Sequence, residues 1–154
     1  MKLRENKNIA IISEAGCPGV ADPGQAMVAE AQQAGVPVKP LVGPNSILLA
    51  LMASGMNGQQ FSFLGYLPIE NLEKIKAIKK IEEDSSKNKS TQIFIETPYR
   101  NNQILESILQ SAKASTKLCI AVNLTAAEES IRTMTISEWT KEKVDLHKKP
   151  VIFL

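Results

Sequence analysis

The chain has 154 residues, 44% of them hydrophobic and 22% charged, with Lys+Arg 18 against Asp+Glu 16 and a net charge of +2. That length holds one ordinary domain or two small ones, and the composition excludes a disordered or low-complexity chain. So balanced a charge excludes a strong non-specific grip on nucleic acid by overall charge, and no DNA partner is expected. The two cysteines, Cys17 and Cys119, stand far apart among small or apolar neighbours. They offer neither a disulfide framework nor a metal-ligand spacing, so reduced thiols and no metal are expected. The charged stretch Met1 to Lys7 lacks the apolar run of a signal peptide, and no segment approaches the ~20 apolar residues of a membrane span. A cytoplasmic protein without membrane contact is the expectation.

Residues 8–13 (NIAIIS) form a short isoleucine-rich run that fits a buried strand of a parallel sheet. A Gly/Pro-dense loop, Glu14 to Gly24, follows. Asp22-Pro23 predicts a helix start, since Asp caps and Pro suits the first helical position. Met27, Val28, Ala31 and Ala34 recur at helical spacing, and Gly35 is expected to close that helix. Residues 36–42 (VPVKPLV) read as a second strand, near an edge because of the prolines. Gly43-Pro44 turns the chain, and Asn45 is placed to cap an apolar helix over residues 46–54. The polar, glycine-rich residues 55–60 mark the expected domain boundary. The division is therefore 1–57 and 58–154.

Residues 61–67 read as a strand ended by Pro68. Leu72, Ile75, Ile78 and Ile81 alternate with lysines and glutamates over residues 70–83, an amphipathic helix. Residues 84–90 (DSSKNKS) read as a solvated loop, and 91–96 (TQIFIE) as a strand. Thr97-Pro98 repeats the cap-then-proline start, with Ile104, Leu105, Ile108 and Leu109 on the apolar face of the next helix. Strands are expected over 118–124, 131–136 and 150–154, and a short helical turn over 137–143 carries Trp139. The first half thus supplies two strands and two helices, whereas a parallel βαβ unit needs neighbours on both edges. It is expected to be the remainder of a larger domain, preceded by a further segment or completed by a partner chain. A complete, small protein is the alternative.

SEAGCPGVADPG, residues 13–24, lies between a strand and a helix, at the carboxyl edge of a sheet, where ligands bind in open α/β folds. Gly16, Gly19 and Gly24 allow close backbone approach, and Ala15, Cys17 and Ala21 leave room for a bulky group. A purely structural strand-to-helix turn is the competing reading. LVGPNSILLALMASG, residues 41–55, has the same layout, with Asn45 and Ser46 as caps or as a second wall beside the first loop.

SEAGCPGVADPG followed by VGPNS, then ETPYR (96–100) and VNLT (122–125), resembles the tetrapyrrole-methylase superfamily over nearly the whole chain. The nearest branch in pattern is that of the ribosomal RNA 2′-O-methyltransferases of the small subunit, with its S-D-A-G-x-P-x-x-x-D-P-G, P-G-P, E-S-x-x-R and R-E-L-T segments. The resemblance implies an α/β fold with a partial N-terminal parallel-sheet domain and a C-terminal α/β domain with a mixed sheet. It implies S-adenosyl-L-methionine in a cleft between two domains, a methyltransferase activity, and a homodimer. Cofactor contacts fall on Gly16, Cys17, Pro18, Val20 and Ala21, on Ser46 and Ile47, on Ile95, Glu96 and Thr97, on Asn123 and Leu124, and on Pro150. The departures are Glu14 for the branch's aspartate, Val42 for its first turn proline, Val122-Asn123 for its Arg-Glu, and HKKPVIFL for its K-G-E-x-V-L strand. They spare the small residues but remove charges, so the acceptor is read as ribosomal RNA or a small molecule. A non-catalytic or truncated relative that dimerises or binds ligands is the alternative function.

Methyl transfer from a sulfonium is an in-line displacement that needs alignment and water exclusion, not a nucleophilic triad. A hydroxyl acceptor gains from a general base, for which Glu14 and Glu96 are candidates. Arg100 either pairs with Glu96 or orients a phosphate or carboxylate. His147 and the lysines of 74–80 read as solvated, Trp139 as a structural anchor, and Tyr99 as a packing residue with substrate contact as its alternative.

Overall fold

The computed structural model describes residues 7–154, which fall into two compact units divided between Asn45 and Ser46. In the first, the regular element among the described residues is helix α1, Gln25–Gln33. It begins later than Asp22-Pro23 because Gly24 takes φ 134°, a backbone turn that helical geometry does not continue through. The side chain of Ile11 packs over Gly24, 3.4 Å from where a Cβ would stand. Gly35 closes the helix as expected. With φ 67°, it donates its N–H to Gln32 C=O at 3.1 Å while Val36 N–H reaches Ala31 C=O at 2.9 Å. This pair of backward bonds is a Schellman closure. The two expected strands, 8–13 and 36–42, are not strands here, and this corrects the reading of a partial parallel sheet among the described residues. Ile12 and Leu41 are 86% and 83% exposed. A parallel strand is held by ladders on its flanks, and neither segment belongs to the one sheet of the described residues.

In the second unit, strands β1 (Phe61–Tyr66), β2 (Thr91–Ile95), β3 (Lys117–Val122), β4 (Ser130–Thr135) and β5 (Val151–Phe153) form a sheet in the order β1-β2-β5-β3-β4. The β1–β2 pair is parallel and the other three pairs are antiparallel, which makes the expected mixed sheet. Alternation along each strand sorts side chains into two cores. Phe94, Leu118, Ile120, Val122, Val151 and Phe153 join helices α3 (Asn71–Asn88), α4 (Asn101–Ser111) and the short α5 (Ile136–Trp139) on one face. Ile93, Cys119, Ala121 and Ile152 meet Ile47, Ala50 and Leu51 of α2 (Ser46–Ser54) on the other. Each large apolar side chain buried this way contributes about 1.5–3 kcal/mol. Thr133 Oγ1 donates to Ser54 C=O at 2.7 Å and ties the end of α2 to β4.

Helix α3 runs to Asn88, through residues expected as a loop. Ser, Asp and Asn are weak helix formers, but an ion pair along the helix and a tertiary bond at its end prevail here. Lys80 pairs with Asp84 at 2.8 Å, and Asn57 Nδ2 holds Lys89 C=O at 2.8 Å. Lys89 then stops the helix in the left-handed region, φ 51°. Helix α4 starts three residues after Pro98, because Arg100 N–H first closes a turn on Thr97 C=O at 2.9 Å. Helix α5 opens one residue earlier than expected, on a capping box between Thr135 and Glu138. Trp139 is the anchor expected of it: buried, with Nε1 donating to Leu118 C=O at 2.8 Å. Among the described residues no helix is long and apolar enough to cross a membrane.

Candidate functional site

The predicted site residues fall into two groups, one in each unit. In Met1–Asn45 the 13–24 loop is organised locally. The hydroxyl of Ser13 donates to Ala15 C=O at 2.8 Å and accepts Ala15 N–H at 3.3 Å, and Val20 N–H closes on Cys17 C=O at 3.2 Å. Gly16 and Gly19 take φ 73° and 78°, and a Cβ at either would meet nothing within 4 Å. Ala21 holds φ 54° without the glycine's freedom. Glu14, Gly16, Pro18, Val20 and Ala21 are exposed, and Cys17 is half-buried. Its thiol donates to Pro44 C=O at 3.3 Å and lies 3.7 Å from Gly43 C=O. The two glycine-bearing turns expected to be neighbours are therefore joined through Cys17.

In Ser46–Leu154, Ser46 opens α2 at the surface while the Ile47 side chain belongs to the core beneath that helix. The remaining residues converge on one sheet edge. Ile95 pairs with Ile152 across β2–β5, Val122 with Val151 across β3–β5, and Asn123 N–H donates to Pro150 C=O at 3.0 Å. Ile95, Thr97, Asn123 and Leu124 are half-buried, Glu96 is buried and Pro150 exposed. Asn123 sits in the left-handed region, φ 51°, where a charged Glu is disfavoured and Asn is tolerated. Its C=O accepts Ala126 N–H at 3.0 Å, so β3 ends in a defined turn.

Glu96 is the electrostatic centre of this edge. Its side chain is 2% exposed and that of Arg100 is 27% exposed. Oε1 accepts Thr97 N–H at 2.6 Å, Arg100 Nη2 at 2.5 Å and Arg100 Nε at 3.1 Å, while Nε also reaches Thr97 Oγ1 at 3.2 Å. A carboxylate so engaged fixes the 97–100 turn. Glu96 and Arg100, read separately as candidate base and candidate anion ligand, are thus partners. Glu14 belongs to the other unit.

Sequence reasoning missed the residues beside this edge. Asn101 is fully buried at the start of α4, with Nδ2 donating to Lys149 C=O at 2.7 Å. Its Oδ1 has no hydrogen-bond partner among the described residues. Asn102 Nδ2 donates to Asp145 Oδ1 at 2.9 Å and its Oδ1 accepts Leu146 N–H at 2.8 Å. These partners lie more than forty positions apart in sequence, and asparagine carries no periodic signal that reveals such a pair. Asp145 is held below its ordinary carboxylate value, chiefly by Asn102 and then by His147 N–H. Among the described residues no group of three or more His, Cys, Asp or Glu is placed to hold a metal.

Residues 1–140 match the family model described as Tetrapyrrole (Corrin/Porphyrin) Methylases. The Ribosomal RNA small subunit methyltransferase I of Vibrio cholerae is 36% identical over 156 residues, covering 99% of this chain and 53% of its own length. That of Bacillus subtilis is 36% identical over 143 residues, covering 91% of this chain and 47% of its own. The chain thus spans about half the length of the curated relatives it matches. The crystal structure of the methyltransferase CobJ matches with a TM-score of 0.61 at 17% identity, over 98% of this chain and 65% of that one, a likeness of fold. A family model spanning most of the sequence, with relatives at a third identity across almost all of it, establishes that the chain belongs to the tetrapyrrole (corrin/porphyrin) methylase family.

Proposed function

We propose that the protein is a methyltransferase that takes its methyl group from S-adenosyl-L-methionine and places it on small-subunit ribosomal RNA. The identity with the rRNA small subunit methyltransferase I relatives, which runs through 99% of this chain, carries that reading. The residues present fit such a cofactor. Open space at Gly16 and Gly19 leaves their backbone bare for a ligand. At the β2–β5–β3 edge, half-buried Ile95 and Leu124 offer apolar surface beside the polar groups of Thr97 and Asn123. A nucleoside with an apolar ring and a charged tail needs that mixture.

When bound, the cofactor supplies an electrophilic methyl on a sulfonium that leaves readily. The chain's own residues then have to bind, orient and exclude water. Gly16, Cys17, Pro18, Val20 and Ala21 form one proposed set of contacts, in the first unit. Ser46 and Ile47, with Ile95, Glu96, Thr97, Asn123, Leu124 and Pro150, form the other, in the second. Glu96 acts within it by holding the 97–100 turn through Arg100, as a positioning residue. Glu14 is exposed, and is the proposed proton acceptor for a ribose hydroxyl. A homodimer, a cytoplasmic location and a division into domains 1–57 and 58–154 belong to the same proposal. The first rests on the family resemblance, the second on the sequence pattern of residues 1–7 and the lack of a long apolar run, and the third on the polar, glycine-rich residues 55–60.

Titration calorimetry with S-adenosyl-L-methionine tests the cofactor half. Gly16→Val fills the open space and forces a β-branched residue to φ 73°, so it should abolish the heat of binding. Retained binding by that variant would remove the 13–24 loop from the site.

A further inference from the structure

Tyr99 is 68% exposed and stands two residues after Thr97, on the turn that Glu96 and Arg100 fix. Its ring and that of His147 meet edge to face, centroids 5.9 Å apart at 72°, and Lys148 Nζ lies over the Tyr99 ring, 6.0 Å from its centroid. An exposed aromatic ring costs hydration, and here it is held in place instead of hidden. Segment 145–149 is fastened to segment 98–102 by Lys148 N–H to Pro98 C=O at 3.0 Å, by Asn101 to Lys149 C=O, and by Asn102 to both Asp145 and Leu146. Lys148 adopts φ 59°, an unfavourable conformation for a lysine that this network over-determines. Lys149 Nζ caps Asp145 C=O at 2.8 Å, and Asp145, the one acid of the segment, is occupied by Asn102 and by His147 N–H at 3.0 Å. The face that results is an aromatic ring bordered by an imidazole and an ammonium. It adjoins the edge formed by Thr97 and Pro150.

We propose that Tyr99, His147 and Lys148 form a platform for an unpaired nucleotide of the RNA acceptor, Tyr99 stacking its base and Lys148 meeting its phosphate. Single-stranded RNA is recognised by stacking on exposed aromatics with cations along the backbone. The pre-ordered turn removes the entropy that a mobile loop would lose on binding. This inference rests on the RNA-methyltransferase reading and adds to it a contact surface.

The test measures binding of the full chain to a fluorescent, unstructured ten-nucleotide RNA over a series of salt concentrations. Tyr99→Ala should weaken binding about 5- to 150-fold, the range that one stacked base contributes. Tyr99→Phe, which keeps the ring, should stay within about twofold. Lys148→Ala should weaken binding and lower the salt slope by about one charge. Circular dichroism and the calorimetric heat with S-adenosyl-L-methionine should not change in any of the three. Equal RNA binding by Tyr99→Ala and the unsubstituted chain would overturn the platform, even if the protein methylates ribosomal RNA. Tyr99-dependent RNA binding without cofactor binding or methyl transfer would uphold the platform and reject the catalytic reading. Unchanged RNA binding with altered self-association in sedimentation would assign the surface to a protein contact and overturn the proposal. No RNA binding at all would overturn both.

Discussion

Removing Arg100 should destabilise the second unit more than removing the charge of its partner, although the pair looks symmetric. Arg100→Ala strands the Glu96 carboxylate, whose side chain is 2% exposed, with Thr97 N–H as its remaining donor. Breaking a buried ion pair from one side costs about 3–5 kcal/mol. The partial exposure of Arg100 and the surviving 2.6 Å bond reduce that to about 2–3 kcal/mol. Glu96→Gln leaves an oxygen for Thr97 N–H and a guanidinium that water can reach, so about 1 kcal/mol is expected. The double variant should cost less than Arg100→Ala alone, because no buried charge is left. Urea unfolding followed by the fluorescence of Trp139, the sole tryptophan, reports on this unit. The reasoning fails if Arg100→Ala costs under about 0.5 kcal/mol, or if the double variant costs the sum of the singles.

Three further outcomes follow from the same structure. Ile104→Ala, at a core position between α4 and the sheet, should cost about 2–5 kcal/mol, while Leu72→Ala, 67% exposed on α3, should stay within about 0.5 kcal/mol in the same urea assay. The Glu70 carboxylate caps α3 by accepting Glu73 N–H at 2.8 Å and Leu72 N–H at 3.1 Å, and these bonds hold it below its ordinary value. Its folded value is depressed, so its contribution is present at neutral pH and lost as pH falls through the acidic range. The gap in urea midpoint between the unsubstituted chain and Glu70→Ala should therefore narrow from pH 7 towards pH 3. Burial pushes the Cys119 thiol up, against a smaller opposing effect of Thr133. An aromatic disulfide reagent should then titrate Cys17 in the native chain and reach Cys119 at unfolding.

The second unit was largely legible because its signals are local. Leu72 to Ile81 at helical spacing gave α3, and residues 91–96 and 118–124 read as the strands that β2 and β3 form, without their two faces. Helix ends were misjudged where long-range bonds override propensity, as at Asn57 holding Lys89. The 8–13 and 36–42 segments read as strands from composition, but a strand exists only with a hydrogen-bonded neighbour, and composition does not supply one. Glu96, Thr97, Asn123 and Pro150 were singled out through motif resemblance, and the β2–β5–β3 register brings them to one edge. The surface of Tyr99, His147 and Lys148 was invisible, since it depends on Asn101 and Asn102 gripping a segment more than forty residues away. Tyr99 itself, read as packing, lies outside because the Thr97–Arg100 turn carries it away from the core.

The most direct test of the proposed activity is transfer of a radiolabelled methyl group from S-adenosyl-L-methionine, with small-subunit ribosomal particles and total small-molecule extract offered in parallel. Label in the small-subunit RNA, lost in Gly16→Val and reduced in Tyr99→Ala, is the predicted result. Label confined to small molecules, or no transfer with no heat of cofactor binding, would contradict it.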